Sequence, residues 1–481
     1  MGPDKASDNS RRNFLKRTTV AGAAGVAGAL GINAVAPSVL PEKMVFEKNL
    51  SFWSRVLPSP NSPLSKDLDV DVAIIGGGFT GLSAAYYLKK NQPTQNVALF
   101  EAQRCGNGAS GRNGAMMLNM TDDRFLQWSG DPEMDKRIYA LTLDNIRRLQ
   151  ALAAQFSVDA EIEQNGALQV FNTKKDAESG REFIETIRPH GLPFEYWDRG
   201  KVADAIGTNF YEGGLFDPGS GQLHPGKLVA LFKTAAETAD AQIFEGTTVA
   251  GVEEGETLRL MTADGKTVRA KALILATNAY TSKLGYLRRA VAPFFDYVAI
   301  TGPLSDAKLA EIGWKKRIPF NDSRTEVFYL GLTKDQRIHI GGGLADYEFN
   351  DSLETPIRSK RRCMELREEL IRIYPTLREE PIEICWSGAV DMSLDQTPSV
   401  GRMGKHGNVF FAIGFSGHGV NLTSVFGRVL ADLVTGSERD WGWGWGWLPY
   451  LNRLPPYMPN EPFRWLGLQL ATEYYRLTEF K

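Results

Sequence analysis

The stretch from Val70 to Leu88 reads VDVAIIGGGFTGLSAAYYL, and it predicts a buried parallel strand, a glycine-rich turn and a helix in direct succession. Gly76 permits the tight turn out of the strand. Gly78 lets the backbone approach a pyrophosphate, and Gly81 lets the helix pack closely on the strand. The stretch is therefore typical of a dinucleotide-binding turn.

A second strand and an acidic residue follow at the expected spacing. Val97–Phe100 forms the strand, and Glu101 ends it twenty residues after Gly81, placed to accept hydrogen bonds from a ribose 2′-hydroxyl. The helix-start amides of Phe79 and Thr80 would hold the phosphate charge. A carboxylate at Glu101 repels a 2′-phosphate, which disfavours NADP. Because all these features occur in register, the sequence predicts an α/β, Rossmann-like fold.

Three further segments resemble the flavin-contacting segments of the D-amino-acid-oxidase-like family of FAD enzymes. They are Glu101–Gly114, Ala276–Tyr280 and Gly414–Val420, and they occur in the family's order within residues 69 to 437. The resemblance implies FAD as the cofactor. The residues that it places at the cofactor are Gly76, Gly78, Phe79, Thr80, Gly81, Glu101, Ala102, Ala109, Ser110, Arg112, Asn113, Gly114, Val249, Thr277, Asn278, Gly388, Gly414, Phe415, Ser416, Gly417, His418 and Gly419.

Within this family the chain most resembles the bacterial amine-oxidising branch typified by gamma-glutamylputrescine oxidase. The similar segments are Gly108–Gly114, Ser220–Pro225 and Trp386–Asp391. Glycine oxidases of the family carry an arginine where this chain has Val390, and that arginine pairs with the substrate carboxylate. The resemblance thus implies oxidation of an amine or N-substituted amino compound to an imine, with hydride transfer to flavin N5 and with oxygen or a quinone as acceptor.

Three residues are candidates for catalytic roles, each with an alternative. His418 lies between glycines whose amides would stabilise the reduced, anionic flavin, and it adds positive charge there or simply packs. His224 resembles a family residue near the cavity, or it is a structural histidine bonded to backbone. Asp391, like Asp395, lies near the expected cavity entrance and attracts a cationic amine, or it is a solvated loop carboxylate. The five histidines show no metal-ligand spacing, so no metal site is predicted.

Two other functions stay open. One is an accessory or electron-relay flavoprotein without small-amine turnover. The other is an α-amino-acid dehydrogenase, which requires another cation, such as Arg112 or Arg402, in the cavity. The glycine-rich stretch Ile338–Tyr347 has Asp346 where a third glycine is needed, so it indicates a strand and turn and no NAD(P)H site.

Composition limits the class of protein. The 481 residues are 43% apolar, which is enough for two cores, and the net charge of −2 gives no basic excess for nucleic acid. The three cysteines do not form a disulfide framework. Cys385 is interpreted as a small buried hydrophobe in a strand, and Cys105 as a weak candidate for a covalent flavin link.

The N-terminus predicts export by the twin-arginine route to the periplasm. Ser10–Lys16 reads SRRNFLK and precedes the uncharged stretch Thr18–Ala36, whereas the alternative is a disordered basic tail. Ala34–Ala36 has the small-x-small form of a cleavage site, but Pro37 would hinder a peptidase. Because the stretch approaches the ~18 residues needed to span a bilayer, the signal could remain as an anchor.

The motifs divide the chain into an FAD domain in three pieces and a discontinuous α+β substrate domain on a mixed antiparallel sheet. A helical pattern covers 132–157, and strand patterns cover 166–171 and 326–330. We expect the active site where the two domains meet. The expected boundaries are a signal at 1–36, a linker at 37–68, FAD-domain segments at 69–121, 216–292 and 384–437, substrate-domain segments at 122–215 and 293–383, and a Trp-rich tail at 438–481.

The tail contains four tryptophans on alternate positions, at 441, 443, 445 and 447. They pack on the chain's own surface, or they contact a membrane interface or a partner. An amphipathic helix through Phe463, Trp465, Leu466, Leu468 and Leu470 would support peripheral membrane contact.

Overall fold

The computed structural model describes residues 45–47, 50–119, 131–437 and 444–479, and two large sheets dominate it. The strands in these ranges are β1 (Val45–Glu47), β2 (Leu68–Ile75), β3 (Val97–Phe100), β4 (Met116–Met117), β5 (Ala167–Val170), β6 (Glu195–Asp198), β7 (Gly213–Asp217), β8 (Gly221–Gln222), β9 (Gln242–Phe244), β10 (Val249–Glu253), β11 (Leu258–Thr262), β12 (Thr267–Leu275), β13 (Val291–Thr301), β14 (Phe320–Asp322), β15 (Phe328–Leu332), β16 (Ile338–Gly342), β17 (Asp346–Tyr347), β18 (Ile382–Ser393), β19 (Ser399–Met403) and β20 (Val409–Ile413). The α-helices are α1 (Phe79–Asn91), α2 (Pro132–Phe156), α3 (Lys174–Ile187), α4 (Arg199–Ile206), α5 (Pro225–Thr238), α6 (Asp306–Ile312), α7 (Ser359–Ile373), α8 (Gly419–Thr435) and α9 (Phe463–Glu479).

The first sheet has the parallel core that the glycine-rich stretch predicts. Its order is β10-β11-β12-β2-β3-β9, with β20 beside β12 and β19 beside β20. The pairs β12–β2, β2–β3, β3–β9 and β12–β20 are parallel. Strand β2 is buried from Val72 to Ile75, since helices α1, α5 and α8 share one hydrophobic cluster with one of its faces. This is the Rossmann-like arrangement, and the predicted fold class is confirmed.

The second sheet is mixed and mainly antiparallel, as predicted for the substrate domain. Its order is β1-β18-β13-β16-β15-β14-β5-β7-β6, with β17 beside β13. Only β1–β18 and β14–β5 are parallel among its described pairs. Helix α7 packs on one face through Leu366 and Leu370. The opposite face carries Val298 and Trp386, which pack against Ala115 just after the predicted flavin loop. The sheet therefore faces that loop.

Strand pairing corrects two predicted domain boundaries. Position 216 falls inside β7, which pairs with β5 and β6 of the second sheet. Position 384 falls inside β18, which pairs with β13 along its length. The predicted FAD-domain segments 216–292 and 384–437 thus begin with residues of the substrate sheet. The reason is that Trp386–Asp391, used to define the third segment, lies on a strand that belongs to the other sheet.

The predicted linker at 37–68 is also corrected, because part of it is built into the fold. Strand β1 adds to the edge of the second sheet, and residues Phe52–Val56 form a short 3₁₀ helix. Trp53 is 1% exposed, and its Nε1 donates to the Asn113 carbonyl at 2.8 Å. The Ser51 hydroxyl donates to the Gly111 carbonyl at 2.5 Å. This segment therefore supports the back of the predicted flavin loop.

The described part of the tryptophan tract packs on the chain itself. Trp445 is 2% exposed and donates from Nε1 to Asp432 at 2.9 Å, and the Arg137 guanidinium lies 5.8 Å from the Trp447 ring centre. Trp441 and Trp443 lie outside the described residues. The predicted amphipathic helix is present as α9, with Trp465 and Leu468 packed inward and Phe463 and Leu466 exposed. None of the helices in the described ranges is long and apolar enough to cross a membrane.

The cysteines correct the sequence interpretation. Cys363 of α7 and Cys385 of β18 form a disulfide, and both are fully buried. Their separation of 22 residues gave no sign of the pairing, which depends on α7 packing across β18. Cys105 is free and buried, and burial raises the pKa of its thiol, so it is suited to packing rather than to a covalent flavin link.

His339 of β16 connects the substrate sheet to the predicted flavin loop. Its Nε2 lies 3.0 Å from the Gly114 carbonyl, so Nε2 carries the proton and donates. The ring is 1% exposed and lies edge-on to Trp53, and none of the residues that the structure describes forms a hydrogen bond with Nδ1. Burial lowers the pKa of His339 to about 4. The neutral ring is therefore part of the folded state.

We expect the disulfide to appear in a thiol titration. Protein purified without reductant and then denatured should show one reactive thiol, and the reduced protein should show three. Because the bridge restricts the unfolded chain, its removal in a Cys363→Ala/Cys385→Ala variant should lower the free energy of unfolding by about 3 kcal/mol. A Cys105→Ala variant is the control for thiol number. Three thiols before reduction would contradict the pairing.

We expect His339 to make the protein acid-sensitive. Its pKa is lower in the folded than in the unfolded chain, so the unfolded chain binds the extra proton as pH falls from 6.5 towards 4, and stability is lost in that window. Between pH 7 and pH 4.5 the loss should be about 2 kcal/mol. Urea denaturation of a His339→Gln variant should show a flatter pH profile, whereas a variant of the exposed His406, His406→Gln, should keep the wild-type slope.

Candidate flavin-binding active site

The glycine-rich turn has the close backbone contacts that its sequence predicts. Gly76 has a φ of +109°, and a Cβ there would overlap the carbonyl oxygen of Ala276 at the end of β12. A Cβ on Gly81 would overlap the carbonyl oxygen of Gly76. Helix α1 begins at Phe79, and its N-cap residue Gly78 provides no side-chain cap. The positive end of the helix is thus available to an anionic group.

Glu101 lies at the carboxyl end of β3, beside the turn. Its Oε2 accepts a hydrogen bond from the Gly77 amide at 2.8 Å, and burial raises the pKa of the carboxyl group. The Glu101 carbonyl accepts from the Thr247 amide at 2.8 Å, and Val249, two residues further on, shares a hydrophobic cluster with Phe100 of β3. Ala102 is exposed just after it. These positions fit the ribose end of a dinucleotide.

The loop from Ala109 to Gly114 lies between the glycine-rich turn and the second sheet. Ser110 Oγ accepts from the Phe79 amide at 2.9 Å. Asn113 holds the loop together, since its Nδ2 donates to the Ser110 carbonyl at 2.8 Å and its Oδ1 accepts from the Ala115 amide at 2.9 Å. The side chain of Asn113 is thus used in shaping the loop.

Arg112 ties this loop to strand β18. Its Nη1 donates to the Ser387 carbonyl at 2.8 Å, and its Nε donates to the Asn107 carbonyl at 2.6 Å. A Cβ on Gly388 would stand 3.0 Å from Cβ of Arg112, so the strand and the loop are in close contact. Burial lowers the pKa of Arg112. The arginine therefore orients the loop against the substrate sheet.

The segment from Gly414 to Gly419 forms the opposite side of the site. Gly414, Ser416 and Gly417 all have positive φ, at +78°, +50° and +87°. Helix α8 begins at Gly419, and its N-cap residue His418 provides no side-chain cap. Helix dipole and backbone amides thus point towards this end of the site, where they would stabilise negative charge on a flavin ring.

Asp391 holds this segment in place, which corrects its predicted position at the cavity entrance. The side chain is fully buried, and its Oδ2 accepts from the Gly414 amide at 2.5 Å. The side chain of Asn278, whose backbone has a φ of +47°, is close enough to lower the pKa of this carboxyl group. Burial raises the pKa of Asp391 to about 7. Asp391 therefore joins two predicted flavin segments instead of attracting substrate, and Asp395 forms an ion pair with Arg453.

The two histidine candidates differ in what the structure supports. His224 caps helix α5, where its Nδ1 accepts from the Lys227 amide at 3.3 Å and its ring lies edge-on to Trp53. These contacts favour the structural alternative for His224, and burial lowers its pKa. His418 is half-buried at the start of α8, beside the site, and its electrostatic role stays a prediction. Arg402 is exposed on β19.

Three residues of the substrate sheet pack beside the flavin loop at Gly114 and were missed from the sequence. They are His339 on β16, Tyr329 on β15 and Asp296 on β13. A Cβ on Gly114 would overlap the Tyr329 ring, and the Tyr329 hydroxyl donates to Asp296 Oδ2 at 2.7 Å. The available signal was Asp296 itself, an acidic residue in the otherwise apolar strand PFFDYVAIT. Tyr329 and His339 could not be identified in this way, because their position depends on how β13, β15 and β16 pair.

These residues fit FAD as one continuous site. The glycine-rich turn and Glu101 suit the pyrophosphate and ribose, and the loops at 109–114 and 414–419 suit the ring. When bound, FAD supplies a hydride acceptor at flavin N5. Throughout the described ranges no three His, Cys, Asp or Glu side chains are grouped as metal ligands.

Comparison with known proteins agrees with this geometry. Residues 71–433 match the family model described as DAO, FAD-dependent oxidoreductase. A probable oxidoreductase, OrdL, of Haemophilus influenzae is 29% identical over 87% of this chain and 94% of that protein. Gamma-glutamylputrescine oxidoreductase of Escherichia coli is 27% identical over 79% of this chain and 86% of that protein.

Solved structures show the same fold. Glycine oxidase from Geobacillus kaustophilus superposes with a TM-score of 0.65 at 21% identity, over 77% of this chain and 96% of the other. The amino acid oxidase NikD superposes with a TM-score of 0.63 at 19% identity. The family model covers most of the chain and coincides with the segments that form the site. The chain therefore belongs to the DAO family of FAD-dependent oxidoreductases, of the amine and amino acid oxidase type.

Proposed function

We propose that this protein oxidises an amine that lacks an essential carboxylate, and that the product is an imine which water hydrolyses. The observation that carries the proposal is Val390, which lies on the same face of β18 as Gly388, the residue in close contact with Arg112 of the flavin loop. A valine cannot pair with a carboxylate. The substrate loses a hydride from its carbon and a proton from its nitrogen, and solvent takes the proton.

The arginines suggested for the α-amino-acid alternative do not favour it. Arg112 donates to the carbonyls of Ser387 and Asn107, so its guanidinium is committed to the loop. Arg402 is exposed on β19. Neither arginine is therefore a good candidate for pairing with a substrate carboxylate. This supports an amine substrate over a simple amino acid.

We expect amines to reduce the flavin without oxygen. Anaerobic mixing of the FAD-loaded protein with butylamine, benzylamine, sarcosine and glycine should bleach the flavin absorbance with butylamine and benzylamine, and not with sarcosine or glycine, which carry a carboxylate. Butanol serves as the matched donor without nitrogen. Bleaching by butanol alone would contradict the proposal, and no bleaching by any small donor would favour the electron-relay alternative. Admitting air or a soluble quinone to the reduced protein then identifies the acceptor.

We also propose export by the twin-arginine route. The motif at Ser10–Lys16 supports it, although it lies outside the described residues. The buried Cys363–Cys385 disulfide also supports it, because disulfides persist in oxidising compartments such as the periplasm. The exposed side chains of Phe463 and Leu466 on α9, at 72% and 46%, support contact with a lipid surface after export.

We expect an Arg11→Lys/Arg12→Lys variant to stay in the cytoplasm, where its cysteines would remain reduced, whereas the wild-type protein reaches the periplasm. Fractionation and thiol titration measure both effects. A Lys16→Arg/Arg17→Lys variant keeps the charge and should be exported. Equal export of the first variant would contradict the route. A Phe463→Ser/Leu466→Ser variant should release more protein from the membrane fraction if α9 contacts lipid.

A further inference from the structure

Asp296 places a carboxylate beside the predicted flavin loop. It lies on β13 directly opposite Gly388 of β18, and the backbone of Gly388 is in close contact with Arg112 of the flavin loop. Its carboxylate accepts from the Tyr329 hydroxyl at 2.7 Å and from the Tyr297 amide at 2.8 Å. The Tyr329 ring lies against Gly114. The carboxylate is thus held in one orientation beside the flavin loop.

This carboxylate has no cationic partner in the part of the chain that the structure describes. The groups that contact it are the Tyr329 hydroxyl and the amides of Tyr297 and Gly342, none of which is charged. Burial raises the pKa of Asp296. Burial also raises the pKa of Glu326 to about 7, and the negative charge of Asp296 contributes to that increase. A buried carboxylate is costly unless a cation compensates it. A positively charged ligand would provide that compensation.

The position of Val390 relates the charge of Asp296 to substrate recognition. On β18, Gly388 opposes Asp296 and Val390 opposes Phe294, so these four residues form adjacent pairs on one face of the sheet. Val390 is neutral, and the charge on the same face is negative. The wall is therefore suited to a cation instead of a carboxylate.

We propose that Asp296, oriented by Tyr329, binds a second ammonium group of the substrate, so that the substrate class is a diamine or polyamine. This inference rests on the proposed amine oxidation. The nitrogen that reacts must be neutral before hydride can leave the adjacent carbon. A carboxylate beside that nitrogen would stabilise its ammonium form and slow the reaction. Asp296 therefore fits the ammonium that does not react.

The test compares 1,4-diaminobutane with butylamine in the FAD-loaded protein. We expect the wild-type protein to have a higher kcat/KM for the diamine than for butylamine, and Asp296→Asn to reduce the ratio of these two kcat/KM values about 30-fold. Asp204→Asn is the matched control, since Asp204 is an exposed surface carboxylate paired with Lys315. Flavin absorbance and the thermal midpoint report whether each variant is folded and loaded.

Tyr329→Phe separates positioning from charge. It keeps the carboxylate and removes the hydrogen bond, so we expect KM for the diamine to rise relative to KM for butylamine, with a smaller effect on the kcat for the diamine. If Asp296→Asn fails to bind FAD, the Tyr329→Phe variant still tests whether Asp296 binds the second ammonium group. Bleaching by butylamine with no preference for the diamine, or a preference that survives both variants, would overturn this inference and leave amine oxidation intact. No bleaching by either amine would overturn the proposed function itself.

Discussion

The structure depends on a place where three backbone segments meet without side chains between them. The carbonyl of Gly76 occupies the space that a Cβ on Gly81 would need, and Gly76 itself abuts the carbonyl of Ala276. Because of this contact, helix α1 begins directly at the carboxyl ends of β2 and β12. Ala276 then leads into Asn278, whose side chain reaches Asp391. A close approach at the glycine-rich turn therefore determines where the distant flavin segments stand.

Strand β18 carries the connection between the two halves of the molecule. Its Gly388 and Val390 belong to the wall of the substrate sheet, whereas its Asp391 reaches the Gly414 amide on the other side. Successive residues of a strand point to opposite faces, so one strand can serve both purposes. A buried carboxylate is tolerated because the Gly414 amide donates to it. The division of the domains into pieces follows from this sharing.

Residue types and short-range spacing were enough to predict the cofactor-binding turn. The turn at 76–81 and Glu101 could be read from the sequence because each role depends on residue type and short-range spacing. Trp53, the Cys363–Cys385 bridge and the burial of Asp391 could not, because each depends on which strands and helices are neighbours. The proline-rich character of 37–68 favoured a linker, but the aromatic side chain of Trp53 anchors that segment beneath the Asn113 carbonyl. Burial of one large ring outweighed the local pattern.

The charges at positions 296 and 390 are best understood together. An arginine at 390 would stand one cross-strand pair away from Asp296 on the same face, close enough for a long side chain to form an ion pair with it. Such a pair would remove both charges from substrate recognition, and carboxylate binding would then need another cation. With valine at 390, the charge of Asp296 stays available, oriented by Tyr329. Positions 296 and 390 together therefore determine whether this face of the sheet favours a positively or a negatively charged substrate.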